Sequence, residues 1–233
     1  MSKPKTCRIC GSTESETAYY GPIRDGVFGL LKEEATIYRC GGCGVEELDE
    51  SLCPDVSFYE TKDYREKLAK GLDSSAYFTE HDILQIHTLK AIWPRFLRDA
   101  VIADIGCGGG ALMDHLKGWT KQQIGIEPYE LYRSELSRNG YEVYPYVVDA
   151  IDEWSNKVDL ALSIQVIEHT EDPRQFLSDI KPLLSSNGRL IISTPNREDI
   201  LFDLLPDDFP KFFYRVVHRW YFDAASIAEC AQR

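Results

Sequence analysis

At 233 residues, with 43% hydrophobic and 27% charged side chains, the chain has enough apolar material for one medium domain and a small one. Its formal net charge of -12 argues against nucleic acid as a partner, because Lys and Arg contacts to phosphate supply most non-specific affinity there. No apolar run approaches the ~20 residues of a membrane span, and Met1 to Cys7 lacks the apolar stretch of a signal peptide, so a cytoplasmic protein without a membrane partner is expected. The acidity also speaks mildly against a highly anionic substrate, although a local pocket charge can overrule the mean.

Cys7-x-x-Cys10-Gly11 and Cys40-x-x-Cys43-Gly44 each have the form of a zinc knuckle, in which a tight turn lets two thiolates face one metal. A disulfide pair is disfavoured in a reducing compartment, and a redox Cys-x-x-Cys needs no second copy. Four thiolates leave no open position, so the expected zinc is structural and takes no part in catalysis. About 50 residues bury too little apolar surface to fold securely alone, and metal binding can supply on the order of 10 kcal/mol. Residues 1–55 contain ten Asp and Glu against six Lys and Arg, which disfavours nucleic acid here too. Ala35 to Arg39 reads as the strand leading into the second knuckle, and Cys53 falls outside the pattern.

The acidic run Glu46 to Asp55 places a boundary near 55, giving a zinc-binding domain over 1–55 and a lid or linker with a helix over 56–98. Tyr59, Tyr64, Arg65, Tyr77 or Phe78 can reach a ligand from that lid, or simply pack between domains; Gly71 to Ser75 follows the first three. Thr79 with Asp82 starts a helix whose buried stripe is Ile83, Ile86, Leu89 or Lys90, Trp93, Phe96 and Leu97. His81 and His87 read as surface or packing residues.

Val101 to Ile105 is an apolar, β-branched run, the pattern of a strand buried on both faces of a parallel sheet. Gly106, Gly108, Gly109 and Gly110 follow, and Ala111-Leu112-Met113 opens a helix. Strand, glycine turn and helix make a nucleotide-binding crossover, although a purely structural turn has the same letters. Gly106-x-Gly108-x-x-Ala111 also satisfies the dinucleotide fingerprint. Asp104 decides between ligands: a carboxylate at the end of this strand repels a pyrophosphate and attracts a cation. Asp104-x-Gly106-x-Gly108-x-Gly110 resembles the first motif of class I S-adenosylmethionine-dependent methyltransferases, whose cofactor carries an ammonium and a sulfonium and no phosphate.

Downstream, a helix is expected over Ala111 to Lys117, a strand over Gln123 to Ile126 and a helix over Tyr129 to Asn139. A short strand Glu142 to Tyr144 and a strand Val158 to Gln165 come next, then a helix from Pro173 to about Leu184 and a fifth strand, Arg189 to Ser193, after the Asn187-Gly188 turn. This is an α/β pattern, and the resemblance implies a Rossmann-like, doubly wound, mostly parallel sheet behind a small zinc-ribbon domain, with the larger domain over 99–233. It implies cofactor contacts at Asp104, Gly106, Gly108, Gln165, Glu127 (ribose hydroxyls), and Asp149 with Ala150 (adenine).

Gln165-Val-Ile-Glu168-His169-Thr-Glu-Asp-Pro173 resembles the segment after the fourth strand in ubiquinone-type O-methyltransferases, as do His218-x-x-x-Phe222 and the helix start at Asp223. The four-cysteine domain is similar to that of nucleotide-sugar C-methyltransferases, but their Tyr-His-Glu-His run is replaced here by Thr194-Pro195-Asn196-Arg197. The family's sheet ends with an antiparallel hairpin after the helix near Asp223, and that hairpin is missing from this sequence. A fragment, another chain or a degenerate edge accounts for this.

The resemblance implies methyl transfer from S-adenosylmethionine to a small-molecule acceptor, most simply a hydroxyl on a sugar, glycan or secondary metabolite. His169 is the candidate base, with Glu168 beside it. The O-methyltransferases carry a metal-holding Glu-x-x-Glu-His arrangement where this chain has Gln165, so a metal-independent reaction is expected. The acceptor pocket is drawn from Glu198 to Tyr221, which carries Phe202, Phe209, Phe212, Phe213, Tyr214 and Trp220; a core-packing insertion or a homodimer surface is the alternative. The rival functions are a non-catalytic binding module, a sugar C-methyltransferase and a nicotinamide-dependent oxidoreductase.

Overall fold

The structure, a computed structural model, describes residues 6–26, 29–62, 64, 74–92 and 96–232. Arg65, Gly71 and Trp93, and the side chains of Thr79 and Ile86, lie outside the described residues. In chain order the strands are β1 (Ser15–Arg24), β2 (Leu31–Cys40), β3 (Glu46–Leu48), β4 (Val101–Ile105), β5 (Gln122–Ile126), β6 (Glu142–Tyr144), β7 (Val158–Ile164), β8 (Leu184–Ser193) and β9 (Trp220–Tyr221). The helices are α1 (Ser74–Ile92), α2 (Ala111–His115), α3 (Glu130–Arg138), α4 (Val147–Trp154), α5 (Pro173–Ile180), α6 (Leu201–Leu204), α7 (Phe209–Phe213) and α8 (Ala224–Gln232). Among the described residues no helix is long and apolar enough to cross a membrane.

The chain forms two compact units, Ser57–Ile164 with Ser178–Ser193, and Met1–Val56 with Gln165–Leu177 and Thr194–Arg233. The first break, at Val56, falls beside the boundary expected near 55. Residues of the 99–233 segment are shared between both units.

The first unit is built on a five-stranded sheet in the order β6-β5-β4-β7-β8, with every neighbouring pair parallel. All five residues of β4 are buried, as a central strand covered on both faces requires. Ile102, Leu160 and Leu162 of the sheet pack with Leu112 and Leu116 around α2 and with Ile92, Leu97 and Ala100. The chain runs outward from β4 through β5 to β6 and then returns to β7 on the other side. That reversal sets a topological switch point at the carboxyl end of β4, where ligands bind in open α/β sheets.

Two local expectations need correction. Helix α1 begins at Ser74, ahead of Thr79, and Ile83 is 66% exposed, whereas Leu89 is half-buried and packs against the Ile92 and Leu97 cluster. Strand β8 begins at Leu184, where a turn and then a strand from Arg189 were expected. Its register slips, since Val158 pairs with Leu184 and Leu160 with Arg189, so Asn187-Gly188 forms a bulge within the strand. A Cβ on Gly188 would lie 2.6 Å from the Val158 carbonyl oxygen, which no other residue type escapes. Among the described residues β8 pairs in the sheet only with β7.

The second unit holds an antiparallel sheet, β1-β2-β3-β9. Its core joins Ile23, Ala35, Ile37 and Leu48 with Phe209, Phe213, Tyr214 and Tyr221. The aromatic stretch expected to line a pocket therefore supplies core, with Phe202 packed against the same cluster. The acidic run read as a boundary opens with buried strand β3: Glu46 pairs with Tyr221 and Glu47 with Trp220, and Glu46 is 1% exposed. Its charge is tolerated because Arg39 reaches it at 2.7 Å and the Tyr214 hydroxyl donates to it at 2.8 Å. Residues 165–177 attach through the Arg219 amide, which donates to the Glu168 carbonyl, and the Trp220 indole, which donates to that of Thr170.

Candidate functional site

The four paired cysteines meet as their spacing predicts. Cys7 Sγ lies 3.7 Å from Cys43 Sγ and Cys10 Sγ 3.5 Å from Cys40 Sγ, with all four sulfurs within 4.8 Å of one another. A tetrahedral zinc with bonds of about 2.3 Å spaces its sulfurs by about 3.8 Å, whereas a disulfide needs about 2.05 Å. The donor set therefore fits zinc. Each knuckle is closed by its glycine: the Gly11 amide donates to Cys7 O and that of Gly44 to Cys40 O, while the Gly42 amide donates to the Cys40 sulfur at 3.3 Å. Cys53 stands apart with its thiol directed at the Leu48 and Asp49 carbonyls, and burial pushes it up to about 12.

At the switch point, β4 delivers Asp104, which is 4% exposed. Burial first, and then the charge of Glu127, push its carboxyl up to about 7. Glu127 at the end of β5 is 1% exposed and closes the turn: one oxygen accepts from the Gly108 amide and the other from the Tyr129 amide, both at 2.9 Å. Its first duty is thus to shape the glycine loop, in addition to the ribose contact that the resemblance implies. Gly108 has φ 56, and a Cβ there would strike the Tyr77 ring, which lies on the turn from α1 and packs edge-on to Tyr132. Asp149 is exposed on α4, where its side chain accepts from the Tyr146 amide at 3.1 Å, and Ala150 is buried. Two buried carboxyls at the glycine turn favour a cationic ligand and oppose a pyrophosphate.

Gln165 belongs to the other unit, exposed and at φ 59, a conformation costly for a residue with a side chain. Four residues on, His169 Nδ1 lies 2.7 Å from the Val217 carbonyl oxygen. A carbonyl only accepts, so Nδ1 carries the proton and Nε2 is left with the basic lone pair. The His169 ring stands edge-on to His218, with centroids 4.7 Å apart. His218 is buried, and its Nε2 lies 3.3 Å from the Arg215 guanidinium; Arg donates, so the proton of His218 sits on Nδ1, which has no hydrogen-bond partner among the described residues. Burial, then His169, Arg215 and Arg24, hold His218 well below the usual histidine range.

Glu168 is fully buried. One carboxyl oxygen accepts from Thr194 Oγ1 at 3.1 Å, and the other has no partner among the described residues. Burial pushes this carboxyl up to about 7. One ligand atom from each of Glu168, His169 and His218 falls within 4.8 Å of the others. By distance alone the three can hold a cation, yet Arg24 and Arg215 place positive charge beside them, which opposes a divalent ion. Glu168 and His169 were readable in the sequence. Thr194 was legible as bordering the cleft after the fifth strand and His218 only as part of a motif, while nothing local in the sequence marked Arg24 or Arg215.

The family described as methyltransferase domain matches residues 77–233, more than half of the chain. Ubiquinone biosynthesis O-methyltransferase of Ruegeria sp. (strain TM1040) is 33% identical over 102 residues, covering 41% of this chain and 41% of the relative. The enzyme of that name from Azorhizobium caulinodans is 27% identical over 143 residues, covering 58% of this chain and 56% of the relative. The chain thus spans about half the length of the curated relatives it matches. Among solved structures, a protein from Pyrococcus horikoshii OT3 shares the fold with a TM-score of 0.52 at 17% identity, covering 74% of this chain and 89% of that one. A possible histamine N-methyltransferase from Thermotoga maritima aligns with a TM-score of 0.50 at 21% identity over 66% of this chain and 70% of that one. From its matched span and its doubly wound sheet, the chain belongs to the methyltransferase domain family.

Proposed function

We propose that the chain transfers the sulfonium methyl group of S-adenosylmethionine to a hydroxyl of a small molecule, a sugar, glycan or secondary metabolite alcohol. The observation that carries the reading is the pair of buried carboxyls, Asp104 and Glu127, at the glycine turn on the switch point of the sheet. Bound there, the cofactor supplies an electrophilic methyl carbon. Asp104 balances its positive charge, and Glu127 fixes the shape of the turn by holding the Gly108 amide. His169, with Nδ1 fixed on Val217, offers Nε2 to the acceptor hydroxyl proton. As the acceptor oxygen bonds to the methyl carbon, the carbon–sulfur bond breaks with its electron pair going to sulfur, and the proton goes to His169. Glu168 orients the base or the acceptor. The four thiolates hold structural zinc, and the reaction needs no divalent ion.

The test is His169→Ala, assayed with labelled cofactor against metabolite extracts. Turnover falls by about 10² to 10⁴, the effect of losing a positioned base, while S-adenosylmethionine affinity is kept and the rate of the zinc-loaded wild type does not depend on added magnesium. A fully active variant, or activity abolished by EDTA and restored by magnesium, overturns the assignment.

A further inference from the structure

Gly108 and Gly109 carry no side chains, and the Tyr77 ring fills the space that they leave. A Cβ on Gly108 would strike the Tyr77 hydroxyl oxygen, and one on Gly109 would lie 2.8 Å from Tyr77 Cδ1, so the ring lies along both residues. The His81 ring stacks on that of Tyr77 with centroids 4.0 Å apart and planes 10° apart, and its Nδ1 lies 2.8 Å from the Tyr77 carbonyl oxygen. Tyr132 of α3, itself 1% exposed, meets the Tyr77 ring edge-on at 5.3 Å. The ring is thus wedged between α1, the glycine turn and α3.

Helix α1 is anchored unevenly along its length. Its last turns, at Leu89 and Ile92, join the apolar cluster that contains Leu112 and Leu116. Its first half turns apolar side chains to solvent instead, with Ile83 66% and Leu84 56% exposed. Tyr77 ties that half to the turn, and Asp82 lies 3.2 Å from His115 Nε2 on α2; an ion pair as exposed as this one holds weakly. Lids are drawn from such lightly buried elements, because they open at little cost against unfolding of the whole. In an open α/β sheet a ligand enters outside the carboxyl ends of the strands, and this is the space that the Tyr77 ring borders.

We propose that the first half of α1 is a lid on the cofactor site and that Tyr77 is its latch. The ring lifts from Gly108 and Gly109 to admit the ligand, as the helix pivots about its anchored turns at Leu89 and Ile92, and its return covers the turn. Asp104 and Glu127 select a cationic ligand, while Tyr77 governs how fast that ligand enters. The identity of the ligand rests on the methyl-transfer reading; the lid stands on the uneven anchoring of α1.

The test pairs amide hydrogen exchange of the free full chain with surface plasmon resonance of S-adenosylmethionine on the immobilised full chain. Residues 79–84 are expected to exchange at least about 10-fold faster than residues 88–92, and Tyr77→Ala to widen that gap. Equal protection along α1 overturns the lid. The association rate of S-adenosylmethionine is expected to rise about 2- to 10-fold in Tyr77→Ala, the effect of losing an aromatic contact, and to stay at the wild-type value in Tyr77→Phe, which keeps the ring. Tyr77→Leu serves where Tyr77→Ala does not fold. An association rate unchanged or lowered in the variants without the ring overturns the latch. S-adenosylmethionine bound by neither wild type nor variants overturns the methyl-transfer reading, and the exchange pattern still decides the lid, so either idea can fail alone.

Discussion

Asp104 shows how much one carboxyl decides at the residue scale. In the folded protein without ligand it is pushed up to about 7, from an ordinary value near 3.8, by burial and by Glu127. A folded value above the unfolded one means that its stabilising share is full below about pH 4 and is lost as pH rises toward 7. Glu168, pushed the same way by burial, contributes with the same sign. Cofactor-free protein should therefore melt at lower temperature as pH rises from 4 to 7, and Asp104→Asn should flatten part of that slope in thermal scans; a slope unchanged by the substitution contradicts the assignment. Affinity for a cationic cofactor should move oppositely, strengthening as pH rises toward 7 because the ionised carboxylate is the form that receives it. At pH 8 Asp104→Asn should weaken S-adenosylmethionine about 10- to 100-fold. Asp104, Glu127 and the four cysteines were legible because strand ends and knuckles are local patterns. The loop-closing bonds of Glu127 were not, and the arginines beside His218 escaped notice because Arg24 and Arg215 become neighbours only through strand-like pairing across the fold.

Among elements, β4, β5, β6 and β7 were readable because short apolar runs in an alternating α/β order leave few alternatives. Four strands were not. Strand β1 carries a Gly-Pro pair in a mixed polar sequence, β9 is two residues long, and β8 contains a bulge where the letters spell a turn. Strand β3 misled most, since two adjacent glutamates signal solvent and both are buried here. Glu46 is retained by Arg39 and Tyr214, so Glu46→Ala should leave a buried hydroxyl and an arginine without their acceptor. Removing one partner of a fully buried pair costs about 3 to 5 kcal/mol; because Arg39 is 41% exposed, about 2 to 4 kcal/mol is expected from denaturant unfolding. A loss below ~0.5 kcal/mol, typical of a surface pair, contradicts the account.

At the scale of the whole molecule, linear boundaries hide the main feature: the cysteine sheet is completed by β9 and cored by aromatics from residues 209–221. Nothing local in a sequence marks a partner this distant, because the pairing is decided by tertiary burial. Zinc held at the four thiolates would then support more than residues 1–55. Chelation, or Cys40→Ser, should remove hydrogen-exchange protection from residues 165–177 and 194–232 together with 6–56, while β4, β5 and β7 stay protected; loss confined to 6–56 contradicts that coupling. The central claim, that the glycine turn with its buried carboxyls receives a cationic methyl donor, is tested most directly by calorimetric titration of the zinc-loaded chain with S-adenosylmethionine beside a nicotinamide dinucleotide. One site per chain, with S-adenosylmethionine bound more tightly than the dinucleotide, is the predicted result; no binding, or the reverse order, contradicts it.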